Sequence, residues 1–571
     1  MTRRLLGLET ELAIRFTPEG SGARPGNQVI YEAIAASVSE LVHTQPGESR
    51  GVEEHRIFTE SGASICYEAL PHARDGGLVE VATPECDSPG QLVCHQRAVE
   101  ALLLRALPGA ARRLAVQGYE GELGLLKNCR DAEGHVYGAQ ENYEAEVGRG
   151  AGLALYRVAL ALAAPVLVAE AALIWALLLA FMLSLFFLVP VALLITTIVP
   201  PWRRGRVFER LIADDNPARD RALSRVASAL DRVVALPGLL VASLPLRLLA
   251  FRRQRRAMLG FLISRSILTG AGTLGMDGSF GLSEKGPAIR RLVRAGTDPD
   301  DRPLFDTGNL MKDLFAPVRF RIRPYLRLFR ARQRMQLGLS DANVAQAAEY
   351  LKVGVTSLVL DLAEAGALDD APCPADPIAA LRAIVGDPGL KARVAVVGRE
   401  PMSALDLQRE YLRRSREHLR ASTTSSLEAH QLVRLWGDAL DALADDPAPL
   451  VGALDWVTKR YLLEACGAGA PREAQKKIDL RYHELGSGYL ARMERAGLAR
   501  AVVSEAEVEA AIRTPPASTP ARLRGQLVRE LACERLPVRV SWDSVRVGGR
   551  IGGRVGAKVI PLHDPRGRRR R

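Results

Sequence analysis

Twenty-nine consecutive residues, Ala171 to Val199, carry no charge. About 20 apolar residues suffice for a helix to cross the hydrocarbon of a bilayer. The stretch is apolar on every side, which excludes a surface helix, and its length sets it apart from an ordinary core helix. It predicts a transmembrane segment, with Pro190 as the place for a kink or break. Two topologies return the chain to its starting side. One crosses out over Ala171–Val199 and back over Val233–Phe251, which puts Arg203, Arg204 and Arg206 on the far side against the positive-inside tendency. The other is a hairpin between about Val158 and Val199, which keeps the basic clusters inside but must accommodate Glu170. Between them, Arg203–Arg232 carries Leu211, Ile212, Leu223, Val226 and Leu230 at helical spacing, an amphipathic pattern suited to a membrane surface.

Outside this insertion the 571 residues have globular composition, 25% charged and 48% apolar, enough for two to four domains. The net charge of +12 is concentrated in arginine runs at 203–206, 252–256, 319–334 and 568–571. Two of these flank apolar stretches and no nucleic-acid module accompanies them, so the expected partner is anionic lipid and not nucleic acid. Seven widely spaced cysteines without a C-x-x-C pair argue against a disulfide framework or a zinc site. The nine histidines show no metal-ligand spacing. Glu9 and Glu11 interrupt any signal-peptide core, which predicts a cytoplasmic main body held at a membrane.

The N-terminal run Gly7-Leu8-Glu9-Thr10-Glu11-Leu12 sets two carboxylates two residues apart. In an extended strand they share a face. A second run, Leu78 to Cys86, places Glu80 and Glu85 among strand formers. Two strands offering carboxylates to one cleft suit a Mg²⁺–nucleotide site; solvated edge strands are the plainer alternative. Helical patterns follow at Gln91–Leu107, Ala342–Glu364, Pro377–Ile384, Ala404–Leu419, Ser426–Leu443 and Leu450–Cys466. The Pro-rich stretch Thr514–Pro520 predicts a turn or linker. After it, one helix (Ala521–Leu531) and Val-rich strands (Val538–Val547) form a small α+β unit. Gly270 to Gly275 matches G-x-G-x-x-G, but glycine-rich residues follow instead of a helix, so it is a turn or phosphate-side loop and no Rossmann fingerprint.

Several motifs fall in one order across nearly the whole chain: Gly7-Leu8-Glu9-Thr10-Glu11, Val81 to Asp87, Lys127-Asn128, and Tyr137 to Tyr143. Later come Leu351 to Val355, Ser403 to Arg409, Leu435-Trp436-Gly437, Asp455 to Lys459, and Ala521 to Gly525. In these the chain resembles the Pup ligase and Pup deamidase (depupylase) family, within the glutamine-synthetase-like carboxylate–amine ligase superfamily. The resemblance implies an α+β fold, a glutamine-synthetase-like antiparallel sheet flanked by helices. It divides the chain into a discontinuous catalytic domain (1–149 and 260–500), a membrane-associated helical insertion (150–259), a small C-terminal domain (501–565) and a basic tail (566–571).

By the same resemblance Glu9, Glu11 and Glu80 would surround Mg²⁺, and Thr83 and Trp542 would contact ATP. Arg334 would handle phosphate or the substrate carboxylate. The family's Gly-Ala-Arg-x-Tyr-x-Asp strand becomes Gly62-Ala63-Ser64-Ile65-Cys66-Tyr67-Glu68, so an ATP-contacting Arg is replaced by Ser64, a metal-ligand Tyr by Cys66, and the catalytic Asp by Glu68. Gln140 and Gln336 stand where the family has histidines. The implied reaction phosphorylates a glutamate of a small Pup-type tag from ATP and joins it to a protein lysine, with Glu68 as general base. Two alternatives accompany this reading: a deamidase of the tag, which the deamidase-like Ser541 to Val545 favours, and a catalytically degenerate membrane-bound scaffold.

Overall fold

Alternation along the first strand sets the architecture. In β1 (Leu6–Pro18), Leu6, Leu8, Thr10 and Leu12 are buried on one side, while Gly7, Glu9 and Glu11 point to the other. The structure is a computed structural model and describes residues 4–48, 55–70, 76–131, 133–198, 243–294, 302–319, 321–422, 426–467, 469–534, 536–551 and 554–563.

Around β1 the chain lays down β2 (Thr44–Pro46), β3 (Arg56–Thr59), β4 (Ser64–Ala69), β5 (Gly77–Ala82), β6 (Gly121–Leu126) and β7 (Gln140–Glu146). A small hairpin, β8 (Thr273–Leu274) and β9 (Phe280–Gly281), precedes β10 (Arg291–Val293), β11 (Pro303–Asp306) and β12 (Arg332–Leu337). Ten of these strands form one sheet in the order β10-β11-β12-β7-β1-β5-β4-β3-β2, with β6 pairing the far half of β1. All its pairings are antiparallel except β10 with β11. The expected helix-flanked antiparallel sheet is therefore present.

The sheet has one apolar and one polar face, as antiparallel sheets commonly do. Ile65, Val79, Val81, Tyr143, Ala145, Met335 and Leu337 join the leucines of β1 in the core. Helices α1 (Asn27–Leu41) and α2 (Pro89–Val116) and the helix Gln346–Ala365 pack on that side. Buried ion pairs cross this layer, and in one of the most enclosed Arg265 donates to Glu141 at 2.6 and 2.9 Å, to the Thr356 hydroxyl at 2.7 Å and to the Leu339 carbonyl.

The insertion begins four residues after β7. Helix α3 runs unbroken over 48 residues, Ala151–Ile198. Its first turns are rooted in the body through Tyr156, Leu160, Ala163 and Leu167, all buried. From Trp175 onward the described side chains, among them Phe181, Met182 and Phe187, stand exposed. Two expectations need correction. The hairpin between about Val158 and Val199 does not form among the described residues, because no polar turn interrupts the run and residues 158–198 lie on one helix. Pro190 also falls inside α3 without ending it. The exit and re-entry of the insertion meet in the body, where the Phe251 amide donates to the Val147 carbonyl at 2.8 Å. The amphipathic stretch Arg203–Arg232 and residues 233–242 lie outside the described residues, as does the basic tail.

At the other end of the chain, the helix Pro520–Glu530 packs against a three-stranded sheet, β15 (Val538–Val540), β16 (Ser544–Ile551) and β17 (Arg554–Pro561). A hairpin of β13 (Arg393–Val396) and β14 (Arg399–Ser403) precedes it in the chain. The C-terminal sheet shares a core of Val528, Val538, Val540, Val545 and Leu562 with Phe58 of β3, which fixes it beside the polar face of the main sheet.

Candidate active site

Register decides which side chains meet. Glu11 of β1 lies opposite Glu80 of β5, Glu80 opposite Cys66 of β4, and Cys66 opposite Arg56 of β3. One step along, Glu9 faces Ala82 on one side and Gln140 on the other, and Ser64 faces Ala82. Partners across an antiparallel ladder share a face. The polar face thus carries Glu9, Glu11, Glu68 and Glu80 together, flanked by Arg56 and Arg334.

Each carboxylate has its own restraint. Glu9 accepts from Arg334 at 2.6 Å, and the same guanidinium donates to Asn142 at 2.6 Å. Glu11 accepts the Gly138 amide at 2.7 Å. Glu80 accepts from the Cys66 thiol at 3.3 Å and from Arg56 at 3.4 Å, and Arg56 also donates to the Ser64 hydroxyl at 2.9 Å.

Crowding four acids on one face has an electrostatic cost. Burial, ahead of the Glu80 charge, pushes the Glu11 carboxyl up against the opposing pull of the Gly138 amide and Lys285. Burial and then the charge of Glu9 push Glu80 up, partly offset by Arg56. Glu68 is raised by burial in the cleft wall and then by Glu11 and Glu80. Its outer edge remains open to solvent, which screens part of that repulsion. Burial and Glu80 likewise keep Cys66 a neutral thiol.

Such a donor set is suited to a cation with a preference for hard oxygen ligands. A Mg²⁺ ion would relieve the repulsion that raises the Glu11, Glu68 and Glu80 carboxyls, so the residues present fit it. Cys66 is the one soft donor among them.

Thr83 is buried beside this row; its hydroxyl accepts the Leu8 amide at 3.1 Å, which ties β1 to the segment after β5. Trp542 stands edge-on to Phe58, 5.2 Å between centroids, with the Arg524 guanidinium 4.5 Å above its ring. Arg524 in turn donates to Glu85 and to the Gly62 carbonyl. Gln336 donates to Gln140 and accepts from Asn309 at 2.7 Å, so the two glutamines at the family's histidine positions bond to each other.

The glycine segment Gly270–Gly275 leads into the β8–β9 hairpin and is buried over Gly270–Leu274. The Asp341 carboxylate gathers the amides of Ala271, Glu284 and Lys285 at 2.9–3.0 Å, and Lys459 donates to the Gly272 carbonyl at 2.6 Å. It is a turn fixed by buried charges.

Sequence reasoning missed Arg56 and Lys285, and it missed the role of Gly138 although that residue lies within the Tyr137 to Tyr143 motif. Neither Arg56 nor Lys285 has a motif of its own, and only strand register brings Arg56 to Glu80. It also found no histidine with metal-ligand spacing, whereas His135 meets Asp131 at 2.9 Å and Glu133 at 3.7 Å on an exposed loop.

Comparison with known proteins places the chain in a family with this fold. The sequence profile described as Pup-ligase protein matches residues 4–546. The Pup–protein ligase of Nocardia farcinica is 28% identical over 546 residues, covering 92% of this chain and 90% of that protein. That of Mycobacterium ulcerans is 27% identical over 565 residues, covering 96% and 94%. Among solved structures, the complex between the prokaryotic ubiquitin-like protein Pup and its ligase PafA superposes with a TM-score of 0.66 at 21% identity, covering 99% of this chain and 88% of that one. The ligase PafA in complex with ADP gives 0.60 at 19% identity, covering 91% and 88%. The polar sheet face described above therefore lies in a chain that belongs to the Pup-ligase protein family.

Proposed function

We propose that the protein is an ATP-dependent Pup–protein ligase in which Glu9, Glu11 and Glu80 hold Mg²⁺ and Glu68 is the general base. The observation that carries this is the convergence of four carboxyls from β1, β4 and β5 on one sheet face. Mg²⁺·ATP, when bound, supplies the phosphoryl group that converts a glutamate carboxylate of the tag into an acyl phosphate. Arg334, poised on Glu9, orients that carboxylate and its phosphate through its planar fork of donors. Thr83 and Trp542 border the nucleotide. With Mg²⁺ on Glu11 and Glu80 the repulsion that raises Glu68 would be offset, and the Glu68 carboxylate takes a proton from the lysine ammonium, so that the free amine attacks the acyl carbon and phosphate leaves.

The catalytic domain is built from 1–149 and 260–500, with the segment 501–565 closing over its edge. The test is conjugation of a Pup-type tag to a lysine-bearing protein with Mg²⁺ and ATP, compared with Glu9→Ala. Coupled ADP and conjugate formation is the expected result. Release of a tag without net ATP consumption identifies the deamidase instead, and failure to bind nucleotide identifies the scaffold.

The insertion supports a second element of the reading, a membrane tether. Within Ala151–Ser184 an 18-residue window has a mean hydropathy of 2.5 and is only 11% buried, and beyond its packed first turns α3 leaves the body with its apolar side chains exposed. Such a surface is stable in lipid and costly in water. The lipid bilayer is then a partner and the catalytic body lies on its cytoplasmic side. Resistance of the protein to alkaline carbonate extraction from membranes is expected; full extraction overturns the tether and leaves the ligase reading intact.

A further inference from the structure

We propose that Arg56 is a phosphate-binding residue of the nucleotide site, held on Glu80 until that carboxylate takes up its cation. This rests on the Mg²⁺–nucleotide reading given above.

Ser64 and Cys66 are short side chains in the middle of a face otherwise built from long charged ones. They leave a slot between β3 and β5, and the Arg56 side chain, 17% exposed, extends through it. Its Nη1 rests on the Ser64 hydroxyl and its Nη2 reaches Glu80. At 3.4 Å this ion pair is looser than the roughly 2.7–2.9 Å of a settled charge-assisted bond. The contrast with Arg265, locked on Glu141 at 2.6 Å in the core, is direct. Arg334 holds Glu9 from the opposite side of the carboxylate row, at 2.6 Å.

Two guanidiniums thus occupy two carboxylates intended for a cation. When a divalent ion binds Glu80, it neutralises the partner of Arg56 and repels the guanidinium. The polyphosphate that accompanies the ion is the nearest replacement anion, and a guanidinium fork matches phosphate oxygens bidentately. Arg56 therefore exchanges one anion for another without leaving its slot.

The test titrates wild type and Arg56→Gln with Mn²⁺ alone, then with ATP in the presence of Mn²⁺, by calorimetry. Mn²⁺ affinity is expected to stay unchanged or tighten a few-fold, because a competitor for Glu80 is gone. ATP affinity is expected to fall about tenfold to a hundredfold, the scale of a lost hydrogen bond to a charged group. A parallel loss of Mn²⁺ affinity makes Arg56 a structural strut for Glu80 and overturns the proposal, as does unchanged ATP affinity. Wild-type protein that binds no Mn²⁺·ATP refutes the underlying site reading instead. If Arg56→Gln does not fold, Arg56→Lys carries the same comparison with a loss of about threefold to tenfold.

Discussion

Replacing Arg265 by Met tests whether the layer behind the active face depends on one buried charge pair. Arg265 and Glu141 are almost fully sequestered, at 2% and 0% side-chain exposure. Burial alone would push the Glu141 carboxyl up, but Arg265 outweighs it and holds the group below the usual range. Removing the guanidinium leaves a buried carboxylate supported only by the Tyr143 hydroxyl and the charge of Lys352, a loss of up to about 3–5 kcal/mol. At about 2.1 cal/mol/K of unfolding entropy per residue, a chain of this length loses about 1 °C of melting temperature per kcal/mol. The expected shift is thus up to about 3–4 °C by calorimetric or fluorescence melting.

The double variant Arg265→Met/Glu141→Leu removes the stranded charge and should recover about half of that loss. Recovery stops short because the Tyr143 hydroxyl, which donates to Glu141 at 2.6 Å, then lacks its acceptor. The pH dependence has a definite sign. In wild type the depressed Glu141 pKa contributes stability above the unfolded value of about 4.5, lost as pH falls through the folded pKa. In Arg265→Met the same carboxyl is raised, so its deficit is greatest at high pH and shrinks on acidification. Equal melting of single and double variants, with a gap independent of pH, would refute the reasoning.

Two further outcomes follow from other groups. Glu68→Gln keeps the shape of the cleft but removes the base; kcat for conjugation should fall at least about 100-fold while ATP affinity, measured by calorimetry, stays within a few-fold. His95, buried in α2, is pushed by burial down to about 4. Between pH 6.5 and 4 the unfolded chain binds a proton that the folded chain refuses, so stability falls with pH, by about 2 kcal/mol at pH 5. Melting of His95→Leu at pH 7 and 5 should show a correspondingly smaller difference than wild type.

Strong local periodicity was enough to find many elements. Pro377–Val385 and Ala404–Ala421 are helices within two residues of the expected ends, each with a side-chain N-cap, from Asp376 and Ser403. The alternation in Gly7 to Leu12 likewise predicted the shared face of Glu9 and Glu11. Register was not legible. That Glu11 sits opposite Glu80 depends on pairing between strands more than sixty residues apart, and no local rule encodes it. Arg56 was invisible for the same reason. For the glycine segment the sequence left a turn and a phosphate-side loop both open; Asp341 and Lys459, distant in the chain, fix it as a turn. Helix α3 exceeded its apolar run because the twenty residues before Ala171 are amphipathic and find a surface to pack on.

The rooting of α3 also sets a working radius. From Gln140, beside Glu9, β7 extends seven residues, about 24 Å, before the chain turns into α3. The packed first twenty residues of α3 add about 30 Å. Under the proposed tether the chemistry would lie within about 60 Å of the lipid surface. Lysines on bilayer-bound or surface-skimming proteins would then fall inside that shell, whereas those on freely diffusing targets would reach it only by visiting the membrane. Substrate choice would become a matter of altitude as much as of sequence.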